Sequence, residues 1–96
     1  MQVQVKYFAT FCLETDFIQQ EEIKLKSGAT VKDLITRLSD RYGIGFKKRL
    51  FTKEGSLDSV SWIILNDKRL KKVKELELVL KSGDTISFSP PRLVGG

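Results

Sequence analysis

The residues of this chain that could do chemistry are few. There is no histidine and a single cysteine, Cys12. Histidine-based triads and His–Cys zinc sites are thereby excluded, as is an internal disulfide. A nucleophilic Cys12 would need another base; a free cysteine otherwise behaves as a small buried hydrophobe. What remains is the end of the chain, FSPPRLVGG. Pro90-Pro91 fix φ and favour an extended path. Arg92 carries the one charged side chain beyond them, Leu93 and Val94 are apolar, and Gly95 and Gly96 have no side chain. The seven residues 90–96 span at most about 25 Å. Such an end suits insertion into a narrow channel of another protein, because a backbone without Cβ atoms can be approached from every side. The group then placed to react is the carboxylate of Gly96. A carboxylate resists nucleophiles, so it must first be activated, most simply as an acyl-adenylate. The plainer alternative is a frayed end whose glycines do nothing.

A tail of this kind needs a body to project from, and the hydrophobic pattern supplies one. Residues 2–11, QVQVKYFATF, alternate with period two. Val3, Val5, Tyr7, Ala9 and Phe11 share one face, and Phe8 interrupts the other, polar face. Residues 17–26 are a second strand candidate, and the short LETD link predicts a hairpin. In TVKDLITRLSDRYG, Val31, Leu34, Ile35, Leu38 and Tyr42 form one helical stripe. Thr30 is suited to the N-cap, with Asp33 in the capping-box position. Asp33 and Arg37 have the spacing of an i, i+4 pair. Gly43 is placed to end the helix. Phe46–Phe51 could add a helical turn. SWIILND predicts an inner strand and turn, and ELELVL a further extended segment. TISFS predicts a last strand with Ile86 and Phe88 inward and Thr85, Ser87 and Ser89 outward. Pro90-Pro91 must end it. One helix against one sheet is a two-layer α+β domain over residues 1–89, followed by a flexible tail, 90–96.

With 96 residues, one domain with one modest core is expected. No apolar run approaches the roughly 20 residues of a membrane helix. The start lacks a signal-peptide pattern, so the expectation is a cytoplasmic protein. The formal net charge is +5. The basic runs, Lys68–Lys74 and Lys47–Arg49, read as solvated faces or as sites for an acidic partner or nucleic acid.

These residues together resemble a known family, the β-grasp sulfur carriers. The matching stretches are VKYFAT (5–10), GATVKDLITRL (28–38), ILND (63–66) and LKSGDTISFSPP (80–91) with the final Gly95-Gly96. The chain is most similar to the MoaD-like small subunit of molybdopterin synthase, with ThiS and the ubiquitin-related modifiers as cousins. The resemblance implies a ubiquitin-like β-grasp fold, a mixed sheet of four to five strands packed on one main helix, with the first strand central and parallel to the last. It implies that an E1-like enzyme adenylates Gly96 using ATP and Mg²⁺, and that a sulfur donor converts it to a thiocarboxylate. The tail then enters the large subunit of molybdopterin synthase, where the sulfur passes to a pterin precursor. Catalytic acid–base groups would belong to that subunit; this chain would bind neither cofactor nor metal. Two departures are visible. Three residues, Arg92, Leu93 and Val94, separate PP from GG where the family often has two, and Ser89 stands where a second aromatic is common.

Phe8 is the foremost candidate for partner contact, joined by Trp62 or Ile63, of which only one can share its face, and by Phe88 beside the tail. Two other readings remain. One is a modifier conjugated to lysines through Gly96, or a carrier serving thiamine synthesis or tRNA thiolation. The other is a nucleic-acid-binding β-grasp module, the least favoured because it leaves Gly-Gly unexplained.

Overall fold

In the computed structural model, which describes residues 1–91, the first alternating segment becomes β1 (Gln2–Tyr7) with Val3, Val5 and Tyr7 buried. It is shorter than the period-two pattern suggests. Ala9 adopts φ 52°, a left-handed backbone that costs an L residue energy, and the chain leaves the sheet there. One helical turn, α1 (Phe11–Glu14), follows, and Phe11 reaches the core from that turn rather than from a strand. Strand β2 (Gln20–Lys24) pairs antiparallel with β1, placing Ile23 opposite Val3. The hairpin is therefore formed, but through α1 and a turn in which Asp16 and Phe17 both have positive φ.

Helix α2 (Val31–Tyr42) follows its stripe, with Val31, Leu34, Ile35 and Leu38 buried. Its capping box is complete: the Asp33 N–H donates to Thr30 Oγ1 (3.2 Å), and the Thr30 N–H donates to Asp33 Oδ2 (2.9 Å). Asp33 is thus committed to the cap, and the Asp33–Arg37 pair is not formed. Arg37 instead donates to the Lys24 carbonyl at 3.1 Å. Gly43, at φ 98°, ends α2 and leads directly into a second helix, α3 (Ile44–Leu50), which buries Phe46 and Leu50.

Strands β3 (Trp62–Leu65) and β4 (Lys68–Leu70) form a hairpin. ELELVL (75–80), expected to be extended, is divided: its first three residues complete a 3-10 helix, Val73–Glu77, while Val79 makes an antiparallel bridge to Thr30. The cause of the helix is local: the N–H groups of Lys71 and Lys72 donate to Glu75 Oε1 (2.8 and 3.1 Å). Those two bonds also hold the Glu75 carboxyl below its ordinary range.

Strand β5 (Thr85–Ser89) lies at the centre of a five-stranded sheet ordered β2-β1-β5-β3-β4. It runs parallel to β1 and antiparallel to β3. This is the β-grasp topology, with α3 added beside the main helix. Tyr7, Phe11, Phe46 and Phe88 form the aromatic heart of the core. Phe46 meets Phe88 edge-on at 5.1 Å, and Tyr7 stacks on Phe88 at 6.0 Å. At its margin, Tyr7 Oη donates to Glu21 Oε2 (2.7 Å), and Tyr42 Oη donates to the same oxygen. Arg41 pairs with Glu21 Oε1 at 2.8 Å. Burial first, and then the bond to Glu21, raise the Tyr7 phenol; the same causes push Tyr42 up to about 12.

Candidate functional site

The tail leaves from the centre of the sheet. Phe88 is bonded on both sides: the Phe8 N–H donates to its carbonyl at 2.9 Å, and it sits opposite Ile63 on β3. Ser89 lies opposite Trp62, and its hydroxyl donates to the Pro90 carbonyl at 2.6 Å. Pro90 is half-buried and Pro91 exposed. Arg92, Leu93, Val94, Gly95 and Gly96, expected to form the reactive end, lie outside the described residues.

Alternation divides each of the three central strands between two faces. Helix α2 covers one face; the other is open. Ladder pairing sets Lys6 of β1, Ser87 of β5, Ile64 of β3 and Arg69 of β4 in one row across the open face. Nearer the tail, Phe8 and Trp62 join this face. Together these residues line a groove of about 630 Å³.

Two of the candidate contact residues do not belong to it. Ile63 and Phe88 are wholly buried on the helix side, at 0% exposure each, and offer a partner no surface. Trp62 is therefore the residue that shares a face with Phe8, which is 38% exposed. The outward serines are also more enclosed than alternation suggests. Ser87 is 8% and Ser89 3% exposed, because β5 is flanked on both sides and its large neighbours overhang it.

Arg69 was not singled out in the sequence, being one of five cations in the run Lys68–Lys74. Pairing with β3 brings its guanidinium over the Trp62 ring, 4.1 Å from the centroid, a cation–π contact. Its Nε is buried and has no hydrogen-bond partner among the described residues. A buried donor without an acceptor is costly, so this face carries a position that an incoming carboxylate or carbonyl would complete. A pattern of one aromatic and one arginine on adjacent strands of a hairpin would have been the signal, readable only once the register was known.

Other candidates do not assemble into a reaction centre. Cys12 donates its thiol to the Tyr7 carbonyl at 3.2 Å. Among the described residues no group of three or more His, Cys, Asp or Glu is placed to hold a metal ion. Nor is any helix there long and apolar enough to cross a membrane.

The model of the ThiS family matches residues 5–96, from β1 through the final glycine. The chain belongs to the ThiS family. It is a ubiquitin-like sulfur carrier. The molybdopterin converting factor subunit 1 of Pyrococcus furiosus is 32% identical, with TM-score 0.75 over 96% of this chain and 99% of that one. Small archaeal modifier protein 1 of Methanosarcina acetivorans is 28% identical, with TM-score 0.71 over 99% and 95%. A complex of subunits 1 and 2 of the molybdopterin-converting factor from Helicobacter pylori contains a chain 28% identical, with TM-score 0.60 over 99% and 100%. Among curated protein sequences none matches.

Proposed function

We propose that this ThiS-family chain carries sulfur as a thiocarboxylate on Gly96 and delivers it as the small subunit of a molybdopterin synthase. The observation that carries the reading is the match through Gly96, on a tail that leaves the central strand beside Phe8, Trp62 and Arg69. The Pyrococcus and Helicobacter relatives, both named for the molybdopterin-converting factor, favour this pathway over others.

The chemistry has two steps. The Gly96 carboxylate attacks the α-phosphorus of ATP, supplied with Mg²⁺ by an E1-like enzyme, and pyrophosphate leaves. A sulfur donor then delivers sulfide to the acyl carbon; the C–S bond forms, the C–O bond to phosphate breaks, and AMP leaves. The proposed partners are thus the adenylating enzyme, the sulfur donor and the synthase large subunit. The body contributes a docking face, and the tail contributes reach. The proposed place of this ATP-dependent work is the cytoplasm.

A second reading, conjugation to lysines of other proteins, is favoured by the likeness to small archaeal modifier protein 1. The two separate in one experiment. The chain is incubated with an E1-like enzyme, ATP and a sulfur source, and its mass is measured. A gain equal to exchange of one oxygen for sulfur supports the carrier. A ladder of lysine conjugates that disappears when Gly96 is deleted supports the modifier. If removing Gly95 and Gly96 changes neither the mass gain nor the conjugates, both readings fail.

A further inference from the structure

A second groove, of about 400 Å³, lies in the helical layer between α2, α3 and the 3-10 helix. It shares no residue with the groove on the open sheet face. Its floor is apolar. Ile35 and Leu76 are buried there, Phe51 is half-buried, and Val73 is 44% exposed. Its rim is basic, with Lys32 from α2, Lys47 from α3 and Lys74 from the 3-10 helix. Three separate elements thus bring one cation each to the same apolar depression. None of the three enters an ion pair among the described residues, although Arg41, Arg49 and Lys68 each find a carboxylate. Glu77 is the one acidic residue on the rim, so the lysines outnumber it three to one.

We infer that this groove docks an acidic polypeptide segment. Its apolar side chains seat on Ile35, Phe51, Val73 and Leu76, and its carboxylates meet Lys32, Lys47 and Lys74. The apolar floor supplies affinity by burial, and the cations supply steering and selectivity for negative charge. A nucleic acid would use the cations but leave most of the floor unfilled, since Phe51 is the floor's one aromatic residue for stacking. Because the two grooves are separate, such a segment can hold the carrier while Gly96 is engaged elsewhere. It would act as a tether on an enzyme or scaffold.

The test is an NMR titration of the ¹⁵N-labelled full chain with three probes. These are a synthetic peptide of Asp and Glu with Leu and Phe anchors, the same peptide with the anchors replaced by serine, and a single-stranded oligonucleotide. The expected result is saturable binding of the anchored peptide, with amide shifts at Lys32, Thr36, Lys47, Phe51, Val73 and Lys74. Lys47→Glu with Lys74→Glu weakens it about tenfold, while Lys6→Glu with Arg69→Glu leaves it unchanged. The inference is overturned if the serine peptide or the oligonucleotide binds as well, if the shifts map to Trp62 and Arg69, or if binding does not saturate.

Discussion

Strands β1, β5 and β3 send alternate residues into two different environments. Toward the helices stand Val3, Val5, Tyr7, Ile86, Phe88 and Ile63, all buried. Toward solvent, from the same strands and β4, stand Lys6, Ser87, Trp62, Ile64 and Arg69, joined by Phe8 just beyond β1. On the inner face every ring has a ring partner within the chain, as Phe88 has in Tyr7, Phe11 and Phe46. On the outer face the largest ring, Trp62, meets a cation whose Nε has no acceptor among the described residues. The inner face packs against the helices and closes on itself; the outer face lines an open groove. Position alone does not distinguish them, since Trp62 and Ile63 are neighbours in sequence. Only the pleat separates a residue that holds the fold from one available to a partner.

That contrast predicts different consequences for adjacent residues. Phe88→Ala on the inner face should cost about 3–5 kcal/mol of stability through the lost transfer free energy and the cavity left behind. Urea unfolding monitored by circular dichroism measures it; a loss below about 1 kcal/mol would mean that the aromatic heart is not the keystone described. Trp62→Ala on the outer face should weaken binding to the adenylating enzyme or the synthase large subunit by about 2 kcal/mol. Its effect on unfolding should stay near 1 kcal/mol, since only a partly exposed ring and its cation–π contact are lost. Titration calorimetry beside a melting curve separates the two numbers, and equal losses in both would erase the distinction between the faces.

Smaller effects sharpen the edges of the inner face. Thr30→Ala removes the acceptor of the α2 capping box and should destabilise by about 1 kcal/mol without altering partner affinity. The Tyr7–Glu21–Tyr42 contact predicts a pH dependence whose sign is fixed. Both phenols are raised in the fold, so the folded chain keeps protons that the unfolded chain releases. Their stabilisation is complete below about pH 10, the unfolded value. It is lost as pH climbs toward the folded value, about 12 for Tyr42. Tyr42→Phe should flatten the decline of Tm across that interval, and an unchanged slope would remove Tyr42 from the account.

The inner face was largely legible in the sequence because burial imposes a period. Val3, Val5 and Tyr7 alternate, and Leu34, Ile35 and Leu38 repeat at helical spacing. Where the period misled, a local bond or backbone angle overrode it. Positive φ at Ala9 ended β1 early, and Glu75 bonding back to Lys71 and Lys72 turned the first half of the extended-looking ELELVL into a 3-10 helix. The outer face was half legible. Phe8 stood out as an apolar residue on a polar face, whereas Arg69 was hidden in a basic run and Ile63 could be told from Trp62 only by register.

By itself, the sequence determined the stripe and caps of α2, the ends of the last strand and the bare Gly95-Gly96, since these depend on local propensity and on neighbours a few residues away. The tertiary structure alone decided that β5, rather than β1, takes the middle of the sheet, that Arg69 lies over Trp62, and that Lys32, Lys47 and Lys74 surround one apolar floor. Those contacts join residues distant in the chain. No periodicity reports them, because they arise from how the elements pack against one another.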